Sequence, residues 1–243
     1  MWQLVRMEQL KLHHTFGRKL PILAPALTLV LALVLTSGYN NTFPAGAWNW
    51  WYIMLLPGML AILSYLNVKK DKKAGYYNLL STPVPREKSW FGKIFYCAGG
   101  LLLANLLIFL GTWAGGAVFG TTISFGEGLW GAVLLALTYL WEIPLCLFLN
   151  VRFGVFTGVF TSMALAVLGV AFLADTGLWW VCPSSIPIRL MCPVLGILPN
   201  GLLVPQGSPL LRPDVILPGI TLSLLWFLIL AVGTARWFRK MEV

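Results

Sequence analysis

Long uncharged apolar stretches constrain the fold of this 243-residue sequence more than any other feature. Hydrophobic residues make up 58% of the chain and charged residues only 10%, whereas charged residues are roughly a quarter of an ordinary soluble domain. So few charges could not cover the surface of a soluble core. Stretches of about 20 apolar residues do match the hydrocarbon thickness of a bilayer. The sequence therefore predicts an all-α integral membrane protein with six transmembrane helices, forming a single membrane domain over residues 1–243.

The apolar stretches and the polar segments between them define the predicted organisation of this domain. The N-terminal segment is imperfectly amphipathic and is expected to lie on the inner leaflet as a helix. The segment before the last span is apolar but interrupted by prolines, which predicts short extracellular or re-entrant pieces packed against protein. In chain order the segments are the interfacial helix 1–19, spans one and two in 20–66, the cytoplasmic coupling loop 67–93, spans three to five in 94–174, the outer segment 175–213, span six in 214–235 and the cytoplasmic tail 236–243.

The distribution of basic residues predicts the orientation in the membrane. Of the seventeen Lys and Arg residues, fifteen lie beside one set of span ends, and only Arg189 and Arg212 lie beside the other. The positive-inside rule then places both termini in the cytoplasm. A net charge of +9 does not indicate a nucleic-acid partner here, because the cations flank the spans and no nucleic-acid-binding motif accompanies them. Membrane lipids are the expected partners of these cations.

The loop over 67–93 contains a short uncharged patch between two basic clusters. Gly75 precedes the patch, and Pro83 and Pro85 close it, so a short helix would be delimited at both ends. A short helix with aromatic and aliphatic side chains on the basic side of the membrane is expected to be a docking site for a cytoplasmic partner. Tyr76, Tyr77 and Leu80 are its predicted anchors. The residues assigned to this site are Gly75, Tyr76, Tyr77, Asn78, Leu79, Leu80, Ser81, Thr82, Pro83 and Val84.

No catalytic set is found in the sequence. The GxxxxGK[ST] loop that cradles nucleotide phosphates is missing, and so are HExxH, GxSxG and a pair of carboxylates in one span. Glu142, in the predicted fourth span, is a candidate intramembrane polar site because a buried ionisable group is costly there. The alternative is that Glu142 lies near the inner end and is protonated or paired with Arg152. No metal site is predicted, since the adjacent His13 and His14 cannot share one helix face.

Cysteines and glycines give weaker signals. Cys97 and Cys146 belong to predicted spans and are expected to be small buried apolar residues. Cys182 and Cys192 lie in the outer segment, where oxidation is permitted, so a disulfide between them is one interpretation. The GxxxG spacing over 111–115 in span three favours close approach of another helix.

Three stretches of the sequence resemble a known family: MEQLKLHHTFGRKLPILAP near the start, WNWWYIMLLPGMLAIL in span two and NLLSTPVPREKSWFGKI after it. Together with the N-terminal helix, the six spans and the basic loop, they resemble the permease of a type-2 ABC exporter. More narrowly, they are similar to the lantibiotic-immunity permeases of the MutE/EpiE kind or of the sister MutG kind. The resemblance covers nearly all of the chain. It implies the type-2 exporter permease fold, with an N-terminal interfacial helix and a short coupling helix over Gly75–Val84 that contacts an ATPase.

The resemblance also implies partners and a function. The chain would be a non-catalytic subunit without a cofactor of its own, since ATP and Mg²⁺ would be bound by two copies of a separate ABC ATPase. A second, related permease would complete the complex in the cell membrane of a Gram-positive bacterium. Such complexes expel lantibiotics, which are ring-bridged antimicrobial peptides, from the membrane and give self-immunity or resistance. Two alternatives remain: a permease for another amphiphilic or lipid-linked substrate, and an intramembrane enzyme that uses Glu142.

Overall fold

The computed structural model describes residues 1–36, 42–77 and 84–241, and nearly all of these residues are helical. No β-strand occurs in these ranges, apart from an isolated antiparallel bridge between Ile197 and Leu203. Five helical runs are long and apolar enough to cross a bilayer, and a bent pair of helices makes a sixth. The predicted all-α membrane protein is confirmed, with five candidate spans among the described residues, or six when the bent pair is counted as one span.

The described residues form ten α-helices, with four short irregular turns between them. The α-helices are α1 (Trp2–Leu12), α2 (Phe16–Thr36), α3 (Phe43–Trp50), α4 (Leu56–Lys73), α5 (Arg86–Phe119), α6 (Phe125–Thr138), α7 (Glu142–Arg152), α8 (Val155–Leu168), α9 (Ser185–Leu195) and α10 (Ile216–Lys240). The irregular turns are two π-helical turns over Trp51–Leu55 and Gly169–Leu173 and two 3₁₀ turns over Pro209–Leu211 and Pro213–Val215.

The second span is one continuous run over Phe43–Lys73 that contains a π-helical turn. Pro57 has no N–H to donate, and its ring crowds the carbonyl four residues earlier. The turn over Trp51–Leu55 directly precedes it and widens the helix, so that the Leu56 N–H donates to the Trp51 carbonyl. The sequence favours a kink at Pro57-Gly58; the structure has the π-helical turn just before it, and the helix continues to Lys73.

From its apolar residues the fourth span is expected to begin at Trp130 and to end near Leu149 as one helix, but in the structure it is broken. Helices α6 and α7 meet at an angle of 44° across residues 139–141. Pro144 explains the position of this break, because a proline crowds the carbonyl four residues before it, here that of Leu140. As a result Glu142 is the first residue of α7 rather than an interior residue of one long helix.

Helix α4 lies at the centre of the bundle. It packs against α2, α7 and α8, and 61% of the most apolar part of its span is buried, compared with 17% for the span that contains α10. Two indole groups in the core have hydrogen-bond partners on other helices: Trp51 Nε1 donates to Asn105 Oδ1 at 2.8 Å, and Trp90 Nε1 donates to Thr234 Oγ1 at 2.9 Å. The low buried fraction of the span that contains α10 means that most of its apolar side chains face outward from the bundle.

The helices extend beyond the predicted segment boundaries. Helix α4 runs to Lys73 and α5 begins at Arg86, so both ends of the predicted loop 67–93 are helical. Within 175–213 the apolar helix α9 is buried along nearly its whole length and packs against α6 and α10. Its end is set by Gly196, whose φ of +67° is the left-handed conformation that favours glycine.

Candidate coupling site and intramembrane carboxyl group

The chain leaves α4 through a Schellman motif, a hydrogen-bonded helix cap. The Gly75 N–H donates to the Lys72 carbonyl at 3.1 Å, and the Tyr76 N–H donates to the Asp71 carbonyl at 2.8 Å. Gly75 has a φ of +54°, the left-handed conformation that this motif requires after the last helical residues. The predicted glycine boundary is thus present, and the two hydrogen bonds fix the direction in which the chain leaves the helix.

The two tyrosines after this cap have opposite environments. Tyr76 is 8% exposed, and its ring packs edge to face on Phe238 of α10 with 6.4 Å between ring centroids. Burial, followed by the nearby Asp71 charge, raises the pKa of Tyr76 to about 12, so its phenol is neutral. The prediction that Tyr76 is an anchor for a partner is wrong, because its ring is occupied within the chain. Tyr77 is 74% exposed.

The rest of the predicted docking helix lies mostly beyond what the structure describes. Asn78, Leu79, Leu80, Ser81, Thr82 and Pro83 lie outside the described residues. Val84 is half-buried, and Pro85 separates it from the start of α5. The described part of the predicted site therefore consists of Gly75, Tyr76, Tyr77 and Val84.

Four charged side chains form a buried cluster behind the capped end of α4, and the sequence analysis missed it. Lys93 Nζ contacts the Asp71 carboxylate and lies 3.1 Å from Glu8 Oε2. Lys11 Nζ lies 2.9 Å from Glu8 Oε1 and 3.0 Å from Asp71 Oδ1. Lys93 also donates to Asn67 Oδ1 at 3.3 Å. These contacts join α1, α4 and α5 at one end of the bundle.

The cluster is balanced in charge, with two carboxylates and two ammonium groups. Lys93 is fully buried and both carboxylates are nearly so, whereas Lys11 is 27% exposed. Burial lowers the pKa of Lys11, but the Glu8 and Asp71 carboxylates outweigh that effect, and the net pKa is raised. Asp71 has two roles here, since its carboxylate joins the cluster and its carbonyl accepts the Tyr76 N–H. The N-terminal helix is therefore linked to the predicted coupling segment through one residue.

Glu142 lies at the break between α6 and α7 and is 2% exposed. Neither of its carboxylate oxygens accepts a hydrogen bond from any residue that the structure describes. Arg152 is at the opposite end of α7, about 15 Å away along the helix, and does not pair with Glu142. The proposed pairing with Arg152 is therefore wrong, because the helix holds the two side chains apart.

The outer segment does not contain the predicted disulfide. Cys182 and Cys192 are both free thiols. Cys192 is buried in α9, whereas Cys182 is half-buried in the turn before that helix, with its Sγ 3.1 Å from Ser184 Oγ. Cys97 and Cys146 are buried, as expected for small apolar residues. Across 1–36, 42–77 and 84–241, no group of three or more His, Cys, Asp or Glu side chains could hold a metal ion.

Comparison with known families decides the class of this protein. A family model described as ABC-2 family transporter protein matches residues 4–174, which is more than half of the chain. The chain belongs to the ABC-2 transporter family. Searches of curated proteins and of solved structures each gave no match. Members of this family are the membrane component of ABC transporters and are generally not catalytic themselves, so this chain is the permease component of an ABC exporter and has an ABC ATPase as its partner.

The family match includes the elements that build the candidate site of the permease. The buried charge cluster, the capped end of α4 and Glu142 all lie within residues 4–174. Helices α9 and α10 lie beyond the match. The contact between Tyr76 and Phe238 therefore joins the matched region to a helix beyond it.

An apolar groove of about 300 Å³ opens on the side of the permease between α2, α4 and α8. Three methionines line it, Met54, Met59 and Met163, together with leucine, isoleucine and phenylalanine side chains. Methionine is unbranched and polarizable, so a surface rich in it adapts to ligands of different shape. No charged residue lines this groove. Its chemistry suits an amphiphile that enters from the hydrocarbon region of the membrane.

Proposed function

We propose that this permease expels a lantibiotic from the membrane and thereby gives self-immunity or resistance. The observation that carries the proposal is the uncharged, methionine-lined groove between the apolar helices α2, α4 and α8. A peptide that has already partitioned into the bilayer can reach such a groove without crossing water. Among amphiphiles, lantibiotics are favoured because three sequence stretches resemble lantibiotic-immunity permeases.

We propose further that the segment Gly75–Val84 contacts the ATPase, two copies of which would supply ATP hydrolysis and bind Mg²⁺. Support comes from the capped end of α4, where the chain direction is fixed and Tyr77 is 74% exposed. Exposed aromatic side chains on a fixed backbone are typical anchors of interfaces. The buried charge cluster ties this segment to α1 and α5, which would transmit movement from the ATPase to the spans.

A second, related permease would cover the outward faces of α8 and α10. Phe156 and Phe160 of α8 are 88% and 75% exposed, and Leu217 at the start of α10 is 71% exposed. These side chains are apolar and would face either lipid or another apolar helix surface. The proposed complex lies in the cell membrane of a Gram-positive bacterium with both termini in the cytoplasm, as the distribution of basic residues indicates.

Resistance measurements test this function. The permease, its ATPase and the second permease are expressed together in a lantibiotic-sensitive Gram-positive host. The minimal inhibitory concentration is then measured for a lantibiotic and for a linear cationic peptide of the same charge. We expect several-fold protection against the lantibiotic, little against the linear peptide, and none when the ATPase carries a substitution of its phosphate-binding lysine.

The other outcomes separate the alternatives. Equal protection against both peptides would support a permease for amphiphiles in general, which is the alternative substrate class. Protection that persists with the inactive ATPase would contradict ATP-driven export. A complex that assembles in the membrane but gives no protection against either peptide would reject the proposed substrate while leaving the family assignment intact.

A further inference from the structure

A second groove lies between α1, α2 and α5, away from the methionine-lined groove. It has a volume of about 380 Å³. Gly99 and Gly100 form part of its wall, and a Cβ atom added to Gly99 would meet no other atom within 4 Å. The absence of a side chain at Gly99 therefore leaves this part of the groove open.

The lining of this groove changes from polar to apolar along its length. Its polar side chains, those of Gln9, Arg18 and Tyr96, lie at the end next to α1, where Val5 and Phe95 also line the groove. Ile22, one helical turn beyond Arg18, and Leu103, about 10 Å beyond Tyr96 along α5, supply the apolar end. A phospholipid in the adjacent leaflet has the same order of chemistry, with its headgroup near α1 and its acyl chains toward the middle of the bilayer.

Arg18 gives the polar end an uncompensated positive charge. It forms no ion pair with any acidic side chain in the part of the chain that the structure describes. The two nearby carboxylates on this side, those of Glu8 and Asp71, are already engaged by Lys11 and Lys93. A guanidinium group binds phosphate oxygens through two parallel hydrogen bonds, which makes it well suited to a phosphodiester.

We infer that this groove binds one anionic phospholipid from the leaflet on the α1 side. The phosphodiester is held by Arg18, with Gln9 and Tyr96 as further hydrogen-bonding groups, and one acyl chain lies along the wall formed by Gly99. The site is independent of the proposed transport substrate, because the two grooves share only helix α2 and have no lining residue in common.

Native mass spectrometry of the delipidated full-length permease in detergent tests this inference. Three probes are titrated separately: phosphatidylglycerol, phosphatidylcholine with the same chains, and glycerophosphoglycerol, which is the headgroup without chains. We expect one phosphatidylglycerol molecule to bind saturably and glycerophosphoglycerol not to be retained. Phosphatidylcholine should bind at least about fivefold more weakly, because one cation near a membrane surface contributes about that much to the binding of an anionic lipid. Equal affinity for the two phospholipids would overturn the anionic site, and retention of glycerophosphoglycerol would overturn the role of the acyl chain.

Two variants and their matched controls locate the site. Arg18→Gln should weaken phosphatidylglycerol binding about fivefold, whereas Lys19→Gln, at an exposed neighbour that does not line the groove, should leave it unchanged. Gly99→Leu should fill the groove and abolish saturable binding. Gly126→Leu, at a glycine with equally open space at the start of α6, is its control. Equal effects of Arg18→Gln and Lys19→Gln, or undiminished binding by Gly99→Leu, would contradict the inference.

Discussion

Lys93 holds three helices together at one end of the permease. Its ammonium group is fully buried and contacts the carboxylates of Glu8 in α1 and Asp71 in α4, while Lys93 itself belongs to α5. A buried charge is tolerated only when its partners offset the loss of hydration. Removing one member of such a cluster leaves its partners buried and unpaired. This costs more stability than replacing the whole cluster with apolar side chains.

Lys93→Met should therefore destabilise the permease by about 3–5 kcal/mol. The control is Arg239→Gln, which removes an exposed ion pair with Glu87 and should cost less than about 1 kcal/mol. Thermal unfolding of the two purified variants in the same detergent measures the difference. Equal melting temperatures for Lys93→Met and the unchanged protein would show that the cluster contributes nothing to stability.

Glu142 presents the opposite case, since its carboxyl group is buried and no described residue pairs with it. Replacing an unpaired buried polar group with an apolar one of similar size is neutral or stabilising. Glu142→Leu should therefore fold at least as well as the unchanged protein, and resistance should fall if the carboxyl group serves transport. Glu127→Gln is the control, because glutamine keeps the capping box of α6 with Ser124. Full resistance in folded Glu142→Leu would remove Glu142 from the mechanism.

At the candidate site, local features were predictable and distant contacts were not. The Gly75 boundary follows from the left-handed conformation that helix caps need, which is a property of neighbouring residues. The contact between Tyr76 and Phe238 depends on how α10 packs against the end of α4, and no local pattern encodes that packing. The pairing of Glu8 with Lys93 was missed for the same reason, because the two residues meet only when α1 folds against α5.

At the level of elements, the spans were predictable because each needs a long apolar run, whereas their interruptions depend on individual prolines. Pro144 predicts a break near Leu140 through the clash with a carbonyl four residues earlier, but average hydrophobicity over 130–149 gives no sign of it. In α2, which begins earlier than predicted, Pro21 and Pro25 lie inside a helix that continues past them. A proline therefore predicts an irregularity in the helix, but it does not predict whether the helix bends, widens or continues unchanged.

The glycines of the GxxxG spacing in α5 are contact points with neighbouring helices. A Cβ atom on Gly111 would lie 2.1 Å from a Leu29 side-chain carbon of α2, and one on Gly115 would lie 2.1 Å from a ring carbon of Phe43 in α3. The Phe43 ring is 5% exposed and has little room to move. The close approach favoured by this spacing is present between elements of the same chain.

Gly115→Leu should consequently destabilise the permease by about 1–3 kcal/mol, the usual cost of overpacking. Gly126→Leu is a matched control, because no atom lies within 4 Å of its added Cβ. The melting temperatures of both variants in detergent provide the comparison. If Gly115→Leu melts no lower than Gly126→Leu, the contact between Phe43 and α5 is loose and α3 does not depend on it.

For the molecule as a whole, the basic residues predict one orientation. A reporter that is active only outside the cytoplasm should work when fused after Trp180 and should be inactive when fused after Lys73 or at the C-terminus. The physical reason is the strong excess of Lys and Arg on one side of the spans. An active fusion after Lys73 would reverse the orientation and place the proposed coupling segment on the wrong side for an ATPase.

The proposed coupling of this permease to its ATPase depends on the exposed segment after the capped end of α4. Tyr77 is the described aromatic side chain there that faces outward, and an aspartate in its place would put a charge into an apolar contact. Loss of a good interface anchor costs about 2 kcal/mol or more, which weakens binding by more than tenfold. Trp2→Asp in α1 is a matched control, because Trp2 is 76% exposed and Tyr77 is 74% exposed.

The most direct measurement is co-purification of the ATPase with each tagged variant from the same membranes. We expect Tyr77→Asp to insert normally and to recover at least tenfold less ATPase than the unchanged permease, while Trp2→Asp retains it. Full ATPase recovery with Tyr77→Asp, together with its loss in Trp2→Asp, would contradict the account and move the ATPase contact to α1.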